Sequence, residues 1–358
     1  MTLLALTAIL GTCLPCPTAS GDLSSVDERC EALASQLDDL ALRAGVPGVS
    51  IALTNRDGLQ WSGTSGVRDA RQPGAVDRNT VFEAASLSKP VFAYAVLQLV
   101  DEGLLELDTP LVEYAPLNDI AHDPRHKKLT ARMVLSHSTG LPNWRPDGGR
   151  LDFEADPGSG WRYSGEGFVL LQRVIETLIG DNLQGLAQAL VFEPLGMTRS
   201  SFVWKPEFNS NVAFPHDGEG QSREVRHVSE PNAAASLLTT APDYARFLAA
   251  LLSGEQLSAD LHKQLLKSVV TVNEHGVAWG LGIGLEQNPD GPAFWHWGHN
   301  SGFRAYTIGY PSRGTAIVYF ANSDNGMRFL RDVVQLATGD EEHPAIDHLA
   351  YPSYAEAE

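Results

Sequence analysis

Cysteine is scarce in this sequence, and what there is lies near the N-terminus. The 358 residues contain three cysteines, Cys13, Cys16 and Cys30. If the first two are removed with a leader segment, Cys30 alone is left and no intramolecular disulfide can form. We therefore expect the fold to depend on its apolar core, for which a hydrophobic content of 43% is sufficient.

Positive charge is also scarce. Lys and Arg together number 26 against 44 Asp and Glu, so the formal net charge is −18. This balance argues against nucleic acid or an anionic membrane as a partner.

The sequence also lacks the Gly-x-Ser-x-Gly elbow of α/β-hydrolases and the His-Glu-x-x-His helix of many zinc enzymes, which disfavours both classes.

Residues 2–11 form a short apolar segment, and Thr18-Ala19-Ser20 supplies the small residues that signal peptidases cleave after. We expect residues 1–20 to be a signal peptide and the protein to be exported, to the periplasm or the medium, although no Lys or Arg precedes Arg29. The segment is too short for a stable membrane span. Lipid attachment at Cys13 or Cys16 is an alternative, although neither is preceded by a good lipobox.

The hydrophobic pattern divides the mature chain into strand-rich ends and a helical middle. We predict an α+β fold in which residues 21–85 and 271–340 form one antiparallel sheet flanked by helices. Residues 86–270 are predicted to be an inserted all-helical domain, and 341–358 an irregular tail. Within the last part of the sheet, 277–286 is predicted to be a single strand.

The most informative motif is Ser86-Leu87-Ser88-Lys89. Residues three apart on a helix share a face, so the Lys89 amine can lie beside the Ser86 hydroxyl and activate it as a nucleophile. Only six lysines occur, and no other lysine has a serine three residues before it. Pro90 suits a first helical turn, which places Ser86 at a helix N-terminus where its own N–H can stabilise an oxyanion. The alternative is an N-capping serine with a solvated lysine.

Two further motifs have compatible chemistry. Tyr163-Ser164-Gly165 opens a predicted helix, and Tyr163 could shuttle a proton if Lys89 lies near it; otherwise Tyr163 packs locally. His296-Trp297-Gly298-His299 belongs to an aromatic strand whose backbone N–H groups could bind a carbonyl oxygen. It could also be plain core, or a metal site formed by His296 and His299. His137, by contrast, is interpreted as structural, because turn-forming groups follow it.

Taken in this order, the motifs resemble the serine hydrolase family that includes class C β-lactamases, penicillin-binding proteins, DD-carboxypeptidases, D-aminopeptidases and related esterases. Ser86-x-x-Lys89 resembles the S-x-x-K motif, Tyr163-Ser164-Gly165 stands at the Tyr-x-Asn position, and His296-Trp297-Gly298 at the Lys-Thr-Gly position. The resemblance covers nearly all of residues 30–340. It implies a β-lactamase/transpeptidase-like fold with the site between the two domains, and no cofactor or metal.

The resemblance also implies roles for these residues. Ser86 would attack a carbonyl, Lys89 and Tyr163 would manage its proton, and the backbone N–H groups of Ser86 and His299 would form the oxyanion hole. His296, Trp297, Gly298 and Gly165 would line the substrate site.

Two departures from the family pattern bear on the substrate. Gly165 stands where many relatives have an asparagine that binds an acylamide. His296 replaces a lysine that supplies a fixed positive charge, whereas histidine is only partly charged near neutrality. Glu166 either reaches the site or is a solvated carboxylate in the first helical turn.

These observations favour a serine hydrolase that acts on a small ester, amide or D-amino-acid peptide. An esterase or D-amino-acid peptidase is favoured over a true β-lactamase. A class C-type β-lactamase is the alternative of the same class, and a non-catalytic protein that binds peptidoglycan or a partner is the alternative of another class. The oligomeric state is not encoded in any motif of the sequence.

Overall fold

The computed structural model describes residues 23–350, with side chains from residue 28 onward. The predicted signal peptide, Cys13 and Cys16 therefore lie outside the described residues, as does the end of the predicted tail. Within residues 23–350, no helix combines the length and the apolar content that a bilayer span requires.

Nine α-helices and ten strands occur in the described part of the chain. In chain order they are α1 (Leu23–Ala44), β1 (Gly48–Asn55), β2 (Gly58–Gly66), β3 (Phe82–Ala85), α2 (Ser88–Asp101), α3 (Ala131–Leu135), α4 (Gly165–Ile179), α5 (Leu183–Ala187), β4 (Leu237–Thr239), α6 (Ala241–Ser253), α7 (Ala259–Leu265), β5 (Val270–Thr271), β6 (Val277–Trp279), β7 (Gly284–Glu286), β8 (Ala293–Asn300), β9 (Phe303–Tyr310), β10 (Thr315–Ala321), α8 (Leu330–Thr338) and α9 (Pro344–Leu349).

An eight-stranded sheet unites the two ends of the chain in the order β2-β1-β10-β9-β8-β7-β6-β5, and all its pairings are antiparallel. β1 pairs directly with β10, with Val49 opposite Ala321. The α+β prediction, with an antiparallel sheet built from both ends, is confirmed.

The sheet has a core on each face. Successive side chains of a strand point to opposite faces, and β10 is buried on both. Its residues Ile317 and Tyr319 belong to an apolar cluster with α1 and α8, whereas Val318 and Phe320 belong to a larger cluster that includes α2, α4 and α6. The second face therefore joins the sheet to the helices of the middle segment.

The structure corrects three sequence predictions. Residues 277–286 form two strands, β6 and β7, joined by a tight turn in which Gly282 has a φ of 85°. The buried residues Trp279, Leu281, Ile283 and Leu285 keep a period of two through that turn, which is why the pattern resembled one strand. The segment 86–270 is not all-helical, because β4 pairs with β3. The tail after residue 341 is not irregular throughout, because it contains α9.

Candidate active site

The turn that carries Ser86 lies between β3 and α2. Ala85 has a φ of 49°, in the left-handed region that few non-glycine residues adopt, so the chain leaves β3 sharply. Ser88 fixes this turn, because its Oγ donates to the carbonyl oxygen of Ala85 (2.6 Å) and accepts from the N–H of Leu237 (2.9 Å). Ser86 is thereby held just before α2 with its side chain partly exposed.

Lys89 lies in the first turn of α2 and is fully buried. Its Nζ contacts Ser86 Oγ at 3.1 Å and donates to the carbonyl oxygen of Ala234 at 2.8 Å. Burial lowers the pKa of Lys89 well below the ordinary value of 10.5, because a buried ammonium loses its hydration. The amine is therefore available as a proton acceptor at lower pH than a surface lysine.

The alternative of a capping serine beside a solvated lysine does not fit this geometry. Leu87, not Ser86, is the N-cap residue of α2, and it makes no side-chain capping bond. Lys89 is enclosed by aromatic rings, with its Nζ 4.7 Å from the ring centroid of Tyr163 and 5.7 Å from that of Phe168.

Tyr163 lies between two other rings. Its ring centroid is 4.3 Å from that of His137 and 4.7 Å from that of Trp297. His137 Nδ1 accepts the backbone N–H of Ser164 at 3.0 Å, so its proton is on Nε2. Burial, with a smaller contribution from the charge of Lys89, lowers the pKa of His137 well below 6.5. The sequence placed His137 outside the chemistry, and the structure shows that it supports the segment carrying Tyr163.

His296 is fully buried in β8. Its Nδ1 is 2.8 Å from the carbonyl oxygen of Trp297, and since a carbonyl only accepts, Nδ1 carries the proton. Burial lowers the pKa of His296 to about 3, with the positive charge of Lys89 as a second cause, while the bond to Trp297 opposes the shift. The expectation of partial charge near neutrality is therefore wrong. His296 is neutral there and provides no fixed cation for a substrate carboxylate.

β8 passes close to the serine turn at Gly298. A Cβ built on Gly298 would overlap the carbonyl oxygen of Ala84 and would lie 3.2 Å from the Cβ of Ala85. His299 follows Gly298, is opposite Arg304 of β9, and has an exposed side chain. The backbone at residues 298 and 299 therefore runs beside the turn that carries Ser86. A site with two oxyanion-binding N–H groups requires this proximity.

Asn300, the last residue of β8, was missed as a site residue from the sequence. Its Nδ2 donates to Glu83 Oε2 at 2.6 Å and to the carbonyl oxygen of Ala235 at 3.3 Å. Glu83 is buried, three residues before Ser86. One amide therefore joins β8, β3 and the loop whose Ala234 carbonyl binds Lys89. Glu83 and Asn300 are 217 residues apart, and no local pattern relates them.

Gly165 begins α4 beneath the loop of residues 143–149. Its N–H donates to the carbonyl oxygen and to Oδ1 of Asn143, both at 3.0 Å. A Cβ on Gly165 would lie 2.9 Å from that carbonyl oxygen and 2.9 Å from indole carbons Cη2 and Cζ2 of Trp144. The position therefore admits no side chain unless both Trp144 and the carbonyl of Asn143 move, and an indole occupies the space beside it.

Glu166 is buried and ion-paired rather than solvated. Its Oε1 accepts the backbone N–H (3.1 Å) and Nε–H (3.0 Å) of Arg145, and its Oε2 accepts from Nη2 (2.7 Å). Arg145 also donates to Asp119 at 2.9 Å. With both carboxylate oxygens occupied in this way, Glu166 anchors the 143–149 loop to α4.

The metal alternative meets a geometric obstacle. His296 and His299 are three residues apart in one strand, so their side chains point to opposite faces and cannot bind the same ion. Between residues 23 and 350, no group of three or more His, Cys, Asp and Glu side chains is arranged to hold a metal.

Comparison with known proteins identifies related sequences along nearly the whole described chain. A sequence profile of the Beta-lactamase family matches residues 31–338. Penicillin-binding protein 4 of Amycolatopsis lactamdurans is 27% identical over 337 residues, which covers 85% of this chain and 88% of that protein. Esterase EstB of Burkholderia gladioli is 30% identical over 241 residues, which covers 58% of this chain and 61% of that protein.

Solved structures share the architecture. The octameric penicillin-binding protein homologue from Pyrococcus abyssi superposes with a TM-score of 0.76 at 24% identity, over 89% of this chain and 80% of that one. The D-alanine carboxypeptidase AmpC from Burkholderia cenocepacia superposes with a TM-score of 0.75 at 17% identity, over 87% of this chain and 99% of that one. At these identities the likeness concerns the fold, which is the β-lactamase/transpeptidase-like fold.

Proposed function

Because this chain belongs to the Beta-lactamase family of serine hydrolases, we propose that it cleaves an ester or amide through a covalent acyl-enzyme on Ser86. The observation that supports this proposal most directly is the 3.1 Å contact between Lys89 Nζ and Ser86 Oγ. The pKa of Lys89, lowered by burial, adds to it, because a neutral amine can take the hydroxyl proton.

The proposed reaction has two halves. In the first, Lys89 accepts the Ser86 proton as Oγ bonds to the substrate carbonyl carbon, and the backbone N–H groups of Ser86 and His299 stabilise the oxyanion. Tyr163 delivers a proton to the leaving group as its bond to the carbonyl carbon breaks. In the second half, a water gives a proton to Tyr163 as its oxygen bonds to the carbonyl carbon of the ester. The bond from that carbon to Ser86 Oγ then breaks, Lys89 returns its proton to Oγ, and the acid is released.

The neutral state of His296 favours an uncharged ester over substrates that need a fixed cation. A pKa of about 3 leaves His296 without charge at neutral pH. The indole of Trp144 beside Gly165 gives this part of the site an aromatic wall rather than an amide. Similarity to Penicillin-binding protein 4 keeps D-amino-acid peptides as a second candidate. We rank esterase first, D-amino-acid peptidase second and β-lactamase third.

Purified protein assayed with nitrophenyl acetate, a D-alanyl-D-alanine peptide and a chromogenic cephalosporin tests this ranking. The ester should give the highest kcat/KM. Ser86→Ala should abolish turnover and labelling by a fluorophosphonate, and mass spectrometry should place the label on Ser86. Turnover that persists in Ser86→Ala would refute the mechanism, and a wild-type protein that neither reacts nor is labelled would point to a binding protein.

A further inference from the structure

Trp144 is a large aromatic side chain that the proposed mechanism does not use. It is 47% exposed, one of few large apolar side chains to be so within the described part of the chain. One edge of its indole lies over Gly165, where any Cβ would clash with it. The remaining surface lines a cavity of about 550 Å³. An indole that is fixed on one side and exposed to a cavity on the other is suited to stack on a ligand.

Two residues of the cavity wall connect it to the catalytic groups. On one side, it reaches Glu166, three residues after Tyr163. On the other, it reaches Asn232, whose Oδ1 accepts the N–H of Ala234 at 2.8 Å. The carbonyl of Ala234 is the acceptor of Lys89 Nζ. The cavity is therefore linked, through residues next to Tyr163 and Lys89, to the groups that would act on a carbonyl at Ser86.

The cationic side chains of the cavity wall are already ion-paired with carboxylates. Arg145 is paired with Glu166 at 2.7 Å and with Asp119 at 2.9 Å, and Arg173 is paired with the same Asp119. Asp147 adds a carboxylate to the lining. An anionic substituent would find no unpaired cation here, whereas a neutral ring or branched alkyl group would contact the indole.

The wall is also held in place. The three hydrogen bonds from Arg145 to the buried Glu166 include one from the backbone N–H, so they fix the chain at the residue after Trp144. The two bonds from the Gly165 N–H to Asn143 fix the residue before it. Trp144 thus projects from a segment that is tied to α4 on both sides, and a rigid ring loses little entropy on binding.

The geometry points to Trp144 as a specificity-determining residue that stacks on a neutral aryl or branched alkyl substituent of the substrate, with Glu166 and Arg145 as its positioning pair. This inference rests on the proposed function, because it assumes that the substrate carbonyl lies at Ser86. It narrows the substrate class from esters in general to esters with one bulky uncharged group.

The test compares kcat/KM for matched esters. One pair differs on the acyl side, nitrophenyl phenylacetate against nitrophenyl acetate, and one on the alcohol side, benzyl acetate against ethyl acetate. Trp144→Ala should lower the bulky-to-small ratio about threefold to tenfold in one of the pairs, the size expected for one aromatic contact. Trp144→Phe should retain most of the ratio. The affected pair identifies which part of the ester enters the cavity.

Leu104→Ala is the matched control, because Leu104 is also 47% exposed. It follows α2, whose 14 residues separate it from Ser86 by about 20 Å of helix. The control should leave both ratios unchanged. Gly165→Ala must displace the indole. It should therefore lower the same bulky-to-small ratio that Trp144→Ala lowers.

Unchanged ratios in both pairs for Trp144→Ala, or an equal change in Leu104→Ala, would overturn the inference. The same bulky-to-small ratio can be measured without turnover, as the rate of labelling by a phenyl-substituted fluorophosphonate divided by the rate for a methyl-substituted one. A failure of the proposed function is distinguishable, because then Ser86→Ala would match the wild type in every assay.

Discussion

The buried neutral state of His296 should make the protein sensitive to acid in a way that one substitution removes. An unfolded histidine has a pKa of about 6.5, whereas burial holds the pKa of His296 at about 3 in the folded protein. Between these values the unfolded chain binds a proton that the folded chain does not. The free energy of unfolding must therefore fall as the pH drops through this window.

The size of the effect follows from the two pKa values. Each unit of difference corresponds to about 1.4 kcal/mol, so lowering the pH from 7 to about 4.5 should cost the wild type about 2.5 kcal/mol through His296 alone. His296→Asn keeps an N–H that can donate to the carbonyl of Trp297 and carries no titrating group. Its free energy of unfolding should therefore fall about 2.5 kcal/mol less over the same interval.

Urea unfolding of both proteins at pH 7 and at about pH 4.5 gives the pH dependence of the free energy of unfolding for each, and the difference between the two is the contribution of His296. Titrating groups far from His296 are present in both proteins, so their contributions cancel when the two pH dependences are subtracted. His275→Asn is the control, because the side chain of His275 is 77% exposed, and its pH dependence should match that of the wild type. Parallel curves for wild type and His296→Asn would refute the conclusion that His296 is buried and neutral.

Further predictions concern Lys89 and two residues of β8, Asn300 and Gly298. For Lys89, kcat/KM should rise with pH through a pKa well below 10.5, because the deprotonated amine is the active form. Lys89→Met should lower the turnover rate about 10³-fold or more. It should not lower the free energy of unfolding, because it removes a desolvated amine, and a parallel loss of stability in urea would contradict this. Asn300→Ala should lower kcat about 10-fold to 100-fold with little change in KM, by loosening β8 against β3; a change in KM alone would assign Asn300 to substrate binding. Gly298→Ala should lower kcat by at least about tenfold, because its methyl group overlaps the Ala84 carbonyl; wild-type kinetics would contradict the packing.

Contacts within one turn of chain were predictable from the sequence. Ser86 and Lys89 are three residues apart, and the spacing placed their side chains together, as the 3.1 Å distance shows. The start of α4 was also readable, because Ser164 is a residue that caps helices and its Oγ accepts the N–H of Gly167 at 2.9 Å. The proximity of Tyr163 to Lys89 was a hypothesis based on motif order, and the 4.7 Å from Nζ to the ring centroid agrees with it.

The environment of these residues was not predictable in the same way. From the sequence alone, His296 is expected to have the ordinary pKa of a histidine. Its charge is instead set by burial beneath rings from other segments, such as Trp279, whose ring centroid is 5.4 Å from that of His296. Glu166 looks like a solvated carboxylate in a first helical turn until Arg145, 21 residues away, is placed against it. Both environments have one physical origin, since burial and ion pairing are set by tertiary contacts between distant segments.

The three basic groups at the centre of the site constrain one another. Lys89, His137 and His296 are all fully buried, and burial lowers the pKa of each. A proton on any one of them opposes protonation of the others, since the charge of Lys89 contributes to the lowered pKa of both histidines. A lysine at position 296 would add a second amine to this enclosure. In the proposed mechanism, a neutral imidazole there leaves Lys89 as the base that takes the Ser86 proton, and the site has no cation at position 296 that could bind a carboxylate. On this proposal, substrate selectivity comes from shape and apolar contact, which is the role proposed above for Trp144.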